Sequence, residues 1–556
     1  MIYQLDTSIG HARLESSGTA PSQSDVPAVM KHPAADTPAA MSRGRDWPRL
    51  LHWLVLAVCA LWIAGYFFPP LNHDTSVILY ISKLWLEGGR LYVDAIDINT
   101  PLVFVLHLLP EAIAKATGIP GTTVLIALLG LGIAGSFITC RLVLAASLDP
   151  AHATADALLP LLLLFLLIVY PNNMFSQREH IMLVLAMPYL LVASGRANGD
   201  GLSVKMKVVT GLLAGLGFAM KPYFLGIPLL VELYVLSQRG WRQCLADPAA
   251  WAVLAVCVGH AFFAVIVTPE YFTVVMPVAS AFYSEVSQWS WIDLAISANL
   301  GPPTVILPLL GIAAFLAVRS HLARVIFMAG IGGLVSAYAQ SKGWPYHTLP
   351  AQALTLLLAG VIIAHVMDHA VWPRRGDTRP ARLFAAALML LVFYQESLHS
   401  RPFFKQLEYQ GSELQRLMEI VREEIRNDRI LVLSPGIYPH FPMINYLGLR
   451  MTMRFESMWL IQGAYADCQE LAPLYNAPEK MRAAEAFVFR TVPEDFNRLK
   501  PSLLIVDNVP GIPRCQGEVF SYLDYFSRNP LFAKRLEDYD KILDFERYSI
   551  YRRREK

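Results

Sequence analysis

Charge is what this sequence most lacks. Only 16% of its 556 residues are Asp, Glu, Lys or Arg, against 55% hydrophobic, where a soluble protein carries roughly a quarter charged residues. At a mean hydropathy of +0.41, no arrangement of soluble domains hides that much apolar surface, so the chain reads as an α-helical polytopic membrane protein. Collagen, wholesale disorder and a small disulfide scaffold are excluded with it. Cysteine is scarce too. There are six, none in a Cys-x-x-Cys pair, which argues against zinc ribbons and thioredoxin-like redox sites. Cys59, Cys140, Cys244 and Cys257 lie in or beside apolar runs and read as small hydrophobes. Cys468 and Cys515 lie in a polar tail and can pair if that tail meets an oxidising compartment. The net charge of +2 says little, because opposed distributions cancel within it.

Residues 1–45 are rich in Ser, Ala, Pro and Asp without periodicity and read as a disordered extension, with Met41 a plausible alternative start. Arg43, Arg45 and Arg49 precede an apolar run at 51–68. Its length, and its ending in Phe67-Phe68-Pro69-Pro70 rather than a small-x-small site, favour a retained first span over a cleaved signal peptide. Further runs lie near 121–143, 157–171, 180–194, 208–220, 223–237, 249–268, 303–318, 325–339, 351–366 and 382–396. Arg141; Arg196, Lys205 and Lys207; Arg239 and Arg242; Arg319 and Arg324; and Arg374, Arg375, Arg379 and Arg382 fall in alternate loops, those that a cytoplasmic N-terminus puts inside. About eleven spans follow, and the C-terminus lies outside. The layout requires that the short run 101–109 not cross, so 69–120 is expected to be an outer loop with helices along the membrane surface. A transmembrane domain at 46–399 then gives way, at 400–556, to a soluble periplasmic α/β domain. There Leu414, Leu417, Met418, Val421 and Ile425 follow helical spacing, and 429–436 and 502–507 read as buried strands.

Four polar clusters fall in the expected outer loops. Gly130-x-Gly132-x-x-Gly135 is not among them: it matches a dinucleotide fingerprint, but inside a spanning run with no preceding strand, and reads as close helix packing, like Gly211-x-x-x-Gly215. The first outer loop carries Asn72-His73-Asp74, then Asp94 and Asp97. A carboxylate at a bilayer surface can take a proton from a hydroxyl while a lipid-borne substrate approaches from the side; equally, outer loops hold acids as solvated charge. Asn172-Asn173 and Gln177-Arg178-Glu179-His180 enter a span, where polar side chains are costly unless paired or functional. Gln340, Lys342, Trp344, Tyr346 and His347 suit an anion beside a lipid chain, or an interfacial belt with a snorkelling Lys. Lys221, at the outer end of an apolar hairpin, has the same two readings. Tyr283, Glu285, Trp289, Trp291 and Asp293 suit sugar faces or interfacial anchoring. An acid to activate a hydroxyl, with cations to hold a phosphate, is the inventory of glycosyl transfer from a lipid phosphate.

The chain resembles the glycosyltransferase C superfamily of polytopic enzymes that use polyprenyl-phosphate-linked sugars, such as the protein mannosyltransferase and aminoarabinose transferase families. The resemblance rests on Asp74 after the first span, Gly88-Gly89-Arg90-Leu91-Tyr92-Val93-Asp94, Asn99-Thr100-Pro101, Arg178-Glu179 and the Lys221-Pro222 hairpin, and spans most of residues 50–400. Thr100-Pro101 replaces a Lys-Pro-Pro-like turn, and Glu179 stands where Asp is common. The resemblance implies an inverting glycosyltransferase of the bacterial inner (cytoplasmic) membrane, working at its periplasmic face on an envelope lipid, glycan or protein. Asp74 would be the general base, with Glu179, Asp94 and Asp97 beside it. Arg178, Lys221, Lys342 and His347 would hold the donor phosphate. No metal ligands stand out, and a divalent cation (Mg or Mn) is left open; no nucleic acid is expected as a partner. The rival classes are a transporter or flippase of lipid-linked sugars and a non-catalytic assembly protein.

Overall fold

A computed structural model describes residues 47–147, 152–199, 201–283, 288–372, 378–399, 407–466, 473–515 and 517–555. The expected extension at 1–45 lies outside them, as do Glu285, Arg374, Arg375 and Cys468. From Trp47 onward the chain forms one compact unit. Helix α1 (Trp47–Gly65) is followed by α2 (His73–Leu86) and α3 (Pro101–Thr117), which pack on each other. Then come α4 (Gly121–Ser147), α5 (Ala153–Leu164), α6 (Arg178–Asn198), α7 (Val204–Ala219) and α8 (Gly226–Arg239). A short α9 (Trp241–Leu245) leads to α10 (Pro248–Ile266), followed by short α11 (Met276–Phe282) and α12 (Trp291–Ile296). The helical part ends with α13 (Gly301–Ala313), α14 (His321–Gln340), α15 (Pro345–Val366) and α16 (Arg379–His399).

Every apolar run read from the sequence coincides with a helix. Six helices among the described residues are long and apolar enough to cross a membrane: α4, α6, α10, α14, and α13 and α15 with their π-helical extensions to Val318 and Val371. Shorter apolar helices include α1 and α5, the latter continued to Val169. Neither α2 nor α3 is among them. Pro101 at the first turn and Gly118 in the left-handed conformation at the end delimit α3, and it buries Val103, Phe104 and His107. Helix α6 is the centre of the bundle, with 83% of its apolar window buried, against 22% for α10. The outer helices expose Phe262, Ile266, Leu309 and Leu316, as a lipid-facing rim requires.

Close approach is real at one of the two glycine patterns. A Cβ at Gly211 would meet Ala249 O at 2.6 Å and one at Gly215 would meet Val256 Cβ at 2.8 Å, so α7 lies tightly on α10. The other expectation is corrected: Gly130 and Gly135 have nothing within 4 Å of an added Cβ, and Gly132 makes only ordinary contact with Val184. That stretch of α4 does not pack through its glycines.

Beyond α16 the texture becomes α/β. Ser412 caps the helix Glu413–Glu424 by accepting from Gln415 N, and Leu414, Leu417, Met418 and Val421 form its buried stripe. Strands β1 (Arg429–Leu433), β2 (Arg450–Met451), β3 (Leu503–Asp507), β4 (Tyr539–Phe545) and β5 (Tyr548–Arg553) make one sheet of order β2-β1-β3-β5-β4. β2, β1 and β3 are parallel, with Ile430 opposite Leu503, and the β4–β5 hairpin pairs antiparallel. β1 and β3 are continuous apolar runs because both faces are covered. Cys515 is disulfide-bonded, whereas Cys59, Cys140, Cys244 and Cys257 are free.

This sheet region rests on α2 and the loop before α3. Asn445 Nδ2 donates to Ser76 O (3.0 Å), Met451 N to Tyr80 OH (2.8 Å), and Arg450 pairs with Glu87 (2.8 Å). Ile96 N donates to Arg454 O at 2.6 Å, inside a β-bridge between Ile96 and Phe455.

Candidate active site

Two tight turns build the first half of the site. Asn72 caps α2 by accepting from Thr75 N, which leaves Asp74 in the first turn, where the helix dipole favours a carboxylate. The turn before α6 holds Asn172 and Ser176 at positive φ (45° and 69°), strained for residues with a side chain. His180 holds it: its Nδ1 accepts from Ser176 N (3.1 Å), so the proton is on Nε2, which donates to Leu167 O (2.8 Å). The two turns are stitched together. Asn72 Nδ2 donates to Asn173 O (2.8 Å), and Gln177 Nε2 donates to Asn72 Oδ1 and to Asp74 Oδ2, each at 2.9 Å.

Arg178 is the hub. Its guanidinium lies 3.5 Å from Asp74 Oδ2 and donates to Asn99 Oδ1. Asn99 in turn donates through both its backbone N and its Nδ2 to Asp97 Oδ1 (2.7 and 2.6 Å). One cation is therefore shared between Asp74 directly and Asp97 through an amide. Burial alone would raise the Asp74 carboxyl, but His73, Arg178, the Gln177 hydrogen bond and Lys221 together hold it below its ordinary value. Asp97 goes the other way: burial pushes it up, against its Asn99 bonds and Arg178. The two acids thus differ, Asp74 ionised and Asp97 reluctant. Asp74 Oδ2 is occupied, whereas Oδ1 meets only the half-exposed His73, at 3.4 Å.

The second half comes from the turns after α7 and α14. Glu179, fully buried, accepts from Lys221 Nζ at 2.5 Å, and its Oε2 has no partner. Lys221 also reaches Gln340 Oε1 (3.4 Å) and lies 5.2 Å from the centre of the Tyr346 ring, over which Arg178 lies at 5.5 Å. His347 is buried with neither ring nitrogen partnered, and the charges around it are Lys221, Arg178 and Lys342. Lys342 Nζ donates to Tyr283 O (2.5 Å) and sits 4.6 Å from that ring's centre. Burial brings its ammonium down to about 8.

Seven of the eight residues singled out in the sequence therefore lie in one connected cluster. Asp94 stands apart. It is exposed and accepts from Arg90 N (2.8 Å), closing its own turn. The sequence reading missed Glu456. It follows Phe455, the isolated bridge partner of Ile96; its Oε1 accepts from Trp459 Nε1 (2.6 Å), and its Oε2 is buried without a partner among the described residues. Burial, and then repulsion from Asp97, push its carboxyl up to about 8. No local motif marks it.

Arg178 already answers both Asp74 and Asp97, and among the described residues no group of three or more His, Cys, Asp or Glu is arranged to hold a metal ion. Two clefts flank the cluster rather than fill it. One of about 640 Å³ opens beside Asn72 and His73, walled by Tyr66, Phe68 and Phe175 and by Tyr409 and Tyr438 of the C-terminal region. The other, about 720 Å³, lies behind α2 among Lys83, Glu87, Glu111 and Lys115.

No protein-family model matches the sequence, and neither does any curated protein sequence. Solved structures do match. The fold is similar to that of ArnT from Cupriavidus metallidurans, both in the crystal structure bound to undecaprenyl phosphate and in the apo state. Each superposes with a TM-score of 0.53 at 14% identity, over 91% of this chain and 98% or 97% of the other. The likeness is one of fold.

Proposed function

We propose that this chain is an inverting glycosyltransferase that moves a sugar from a polyprenyl-phosphate donor to an envelope lipid, glycan or protein. The observation that carries the reading is the meeting of an ionised acid and a set of cations from separate turns at one end of the bundle: Asp74 with Gln177 and Arg178, and Glu179 with Lys221 and Gln340. ArnT, with the same fold, binds undecaprenyl phosphate.

In this reading Asp74 Oδ1, beside His73, which lines the 640 Å³ cleft, takes the proton of the acceptor hydroxyl. The hydroxyl oxygen bonds to the anomeric carbon as the bond from that carbon to the phosphate oxygen breaks. The electron pair leaves with the polyprenyl phosphate. Arg178, Lys221 and Lys342 meet the charge that develops there, and His347 offers an unpartnered ring nitrogen. Lys221 keeps donor capacity beyond Glu179 and Gln340, since an ammonium has three N–H bonds. Glu179 fixes Lys221; Asp97 and Asn99 fix Arg178. The polar end so formed is the periplasmic one, with about eleven spans, the N-terminus inside and the 400–556 domain outside.

The test is direct. The purified protein in lipid vesicles should transfer labelled sugar from a polyprenyl phosphate to an envelope extract. Movement of the intact lipid-linked sugar across the bilayer without transfer would replace this reading with the transporter.

A further inference from the structure

Glu456 has no part in the steps above, yet it is built into the same place. Its free oxygen and its setting both point to a missing ligand. Oε1 is held by Trp459 Nε1, but Oε2 is buried with no donor, and the charges facing it are the acids Asp97 and Asp74. Buried polar atoms are nearly always paired, so an orphaned oxygen beside an active site marks a missing ligand contact. As for the setting, Met458 N donates to Ser434 O (2.7 Å), just past the end of β1. The chain runs from β1 to β2 on one side and on to β3 on the other. The Glu456 loop thus lies beyond the carboxyl ends of parallel strands, near the point where the order reverses, where α/β sheets take ligands. Trp459 meets Tyr283 edge-on at 5.9 Å, and Tyr283 meets Trp344 at 6.1 Å, an aromatic wall running from Glu456 towards Lys342 and His347.

A carboxyl beside aromatic rings is the chemistry that recognises a sugar: hydrogen bonds for its hydroxyls and a flat surface for its C–H face. We propose that Glu456 and Trp459 form the subsite for the donor's sugar, so that the C-terminal region, not the membrane helices, selects which sugar is transferred. This rests on the glycosyltransferase reading. With its carboxyl raised to about 8, Glu456 carries a proton at neutral pH and can donate to a sugar oxygen as well as accept from a hydroxyl. The lipid phosphate itself is held elsewhere, by Arg178, Lys221 and Lys342.

The experiment separates the two halves of the donor. Full-length protein in detergent is titrated with undecaprenyl phosphate alone and with the same lipid phosphate carrying glucose, galactose, mannose or arabinose. The wild type should prefer at least one sugar-bearing lipid over the bare one. Glu456→Ala and Trp459→Leu should each lower that preference by roughly tenfold, the first through a lost neutral hydrogen bond and the second through a lost sugar–aromatic contact, while binding the bare lipid as the wild type does. Retained bare-lipid binding also shows that the variants are folded, and Trp459, partly exposed, gives an independent reading if the Glu456 variant is not. A variant that keeps the wild-type preference, one that loses the bare lipid equally, or a wild type with no preference overturns the subsite. A wild type that does not bind undecaprenyl phosphate at all overturns the glycosyltransferase reading beneath it.

Discussion

Replacing Asp74 with Asn removes a proton acceptor and very little else. The carboxylate is held on one side only: Oδ2 accepts from Gln177 Nε2 at 2.9 Å and faces Arg178 at 3.5 Å. An asparagine can keep its oxygen on that side and turn its amide nitrogen towards His73, so the stitch between α2 and the turn before α6 survives. Lost are the negative charge and the basic lone pair on Oδ1. General-base catalysis contributes typically about 10²–10⁴-fold, which corresponds to roughly 3–5.5 kcal/mol of barrier. Turnover in a vesicle transfer assay should fall within that range, with membrane expression and polyprenyl-phosphate binding unchanged. Glu87→Gln serves as the control. It caps the C-terminal end of α2, at the opposite end of the helix from Asp74, and pairs with Arg450 at 2.8 Å, a partly exposed bridge worth at most about 1 kcal/mol. Near-normal turnover in Asp74→Asn removes Asp74 as the base. An equal loss in Glu87→Gln would show that α2 is merely fragile, and the catalytic argument would fall with it.

Further outcomes follow from the same geometry. Lys221→Ala strands the fully buried Glu179 carboxylate, whose second oxygen already lacks a partner, so the variant should lose about 3–5 kcal/mol of stability; Lys221→Met combined with Glu179→Gln should recover most of the melting temperature, and a double variant as unstable as the single one would dissolve the pair. Donor binding should weaken as pH rises through about 8, where Lys342 loses its proton and its charge. Asp74, held low, adds no acid limb near neutrality; because burial also brings the Lys221 ammonium down to about 8 and Glu456 titrates there too, Lys342→Arg should lessen the fall in binding of the bare lipid phosphate without abolishing it, and a wild-type profile flat to pH 10 (an interval about two units above that midpoint) speaks against a phosphate role for these lysines. Reporter fusions after Arg242 and after Ser400 should give opposite sidedness; two cytoplasmic readings would overturn the span layout. Thiol labelling of the unfolded, unreduced protein should mark Cys59, Cys140, Cys244 and Cys257 but spare Cys515 until reductant is added.

The sequence by itself determined what is local. Apolar runs too long and too poor in charge to be anything but buried helices appear as α1, α4–α8, α10 and α13–α16, because hydrophobicity over a window is enough to decide a helix in lipid. The change to amphipathic and alternating texture after residue 400 likewise announced a helix at Glu413–Glu424 and strands β1 and β3. The polar turns were visible one by one, since charged residues at span ends are costly and conspicuous. Only the tertiary structure decided which of them meet. Gln177 reaches Asp74 across 103 residues of chain and Lys221 reaches Gln340 across 119, and such pairings depend on how α2, α6, α7 and α14 pack, which no periodicity encodes. Packing also separated the acids: Asp94 has the same residue type and loop as Asp97, yet it closes an exposed turn while Asp97 is drawn in beside Arg178 through Asn99. Glu456 was beyond sequence altogether. Its place beside Asp97 comes from a β-bridge between residues 96 and 455, and a backbone pairing of that kind leaves no signature in side chains, because the hydrogen bonds that make it belong to every residue alike.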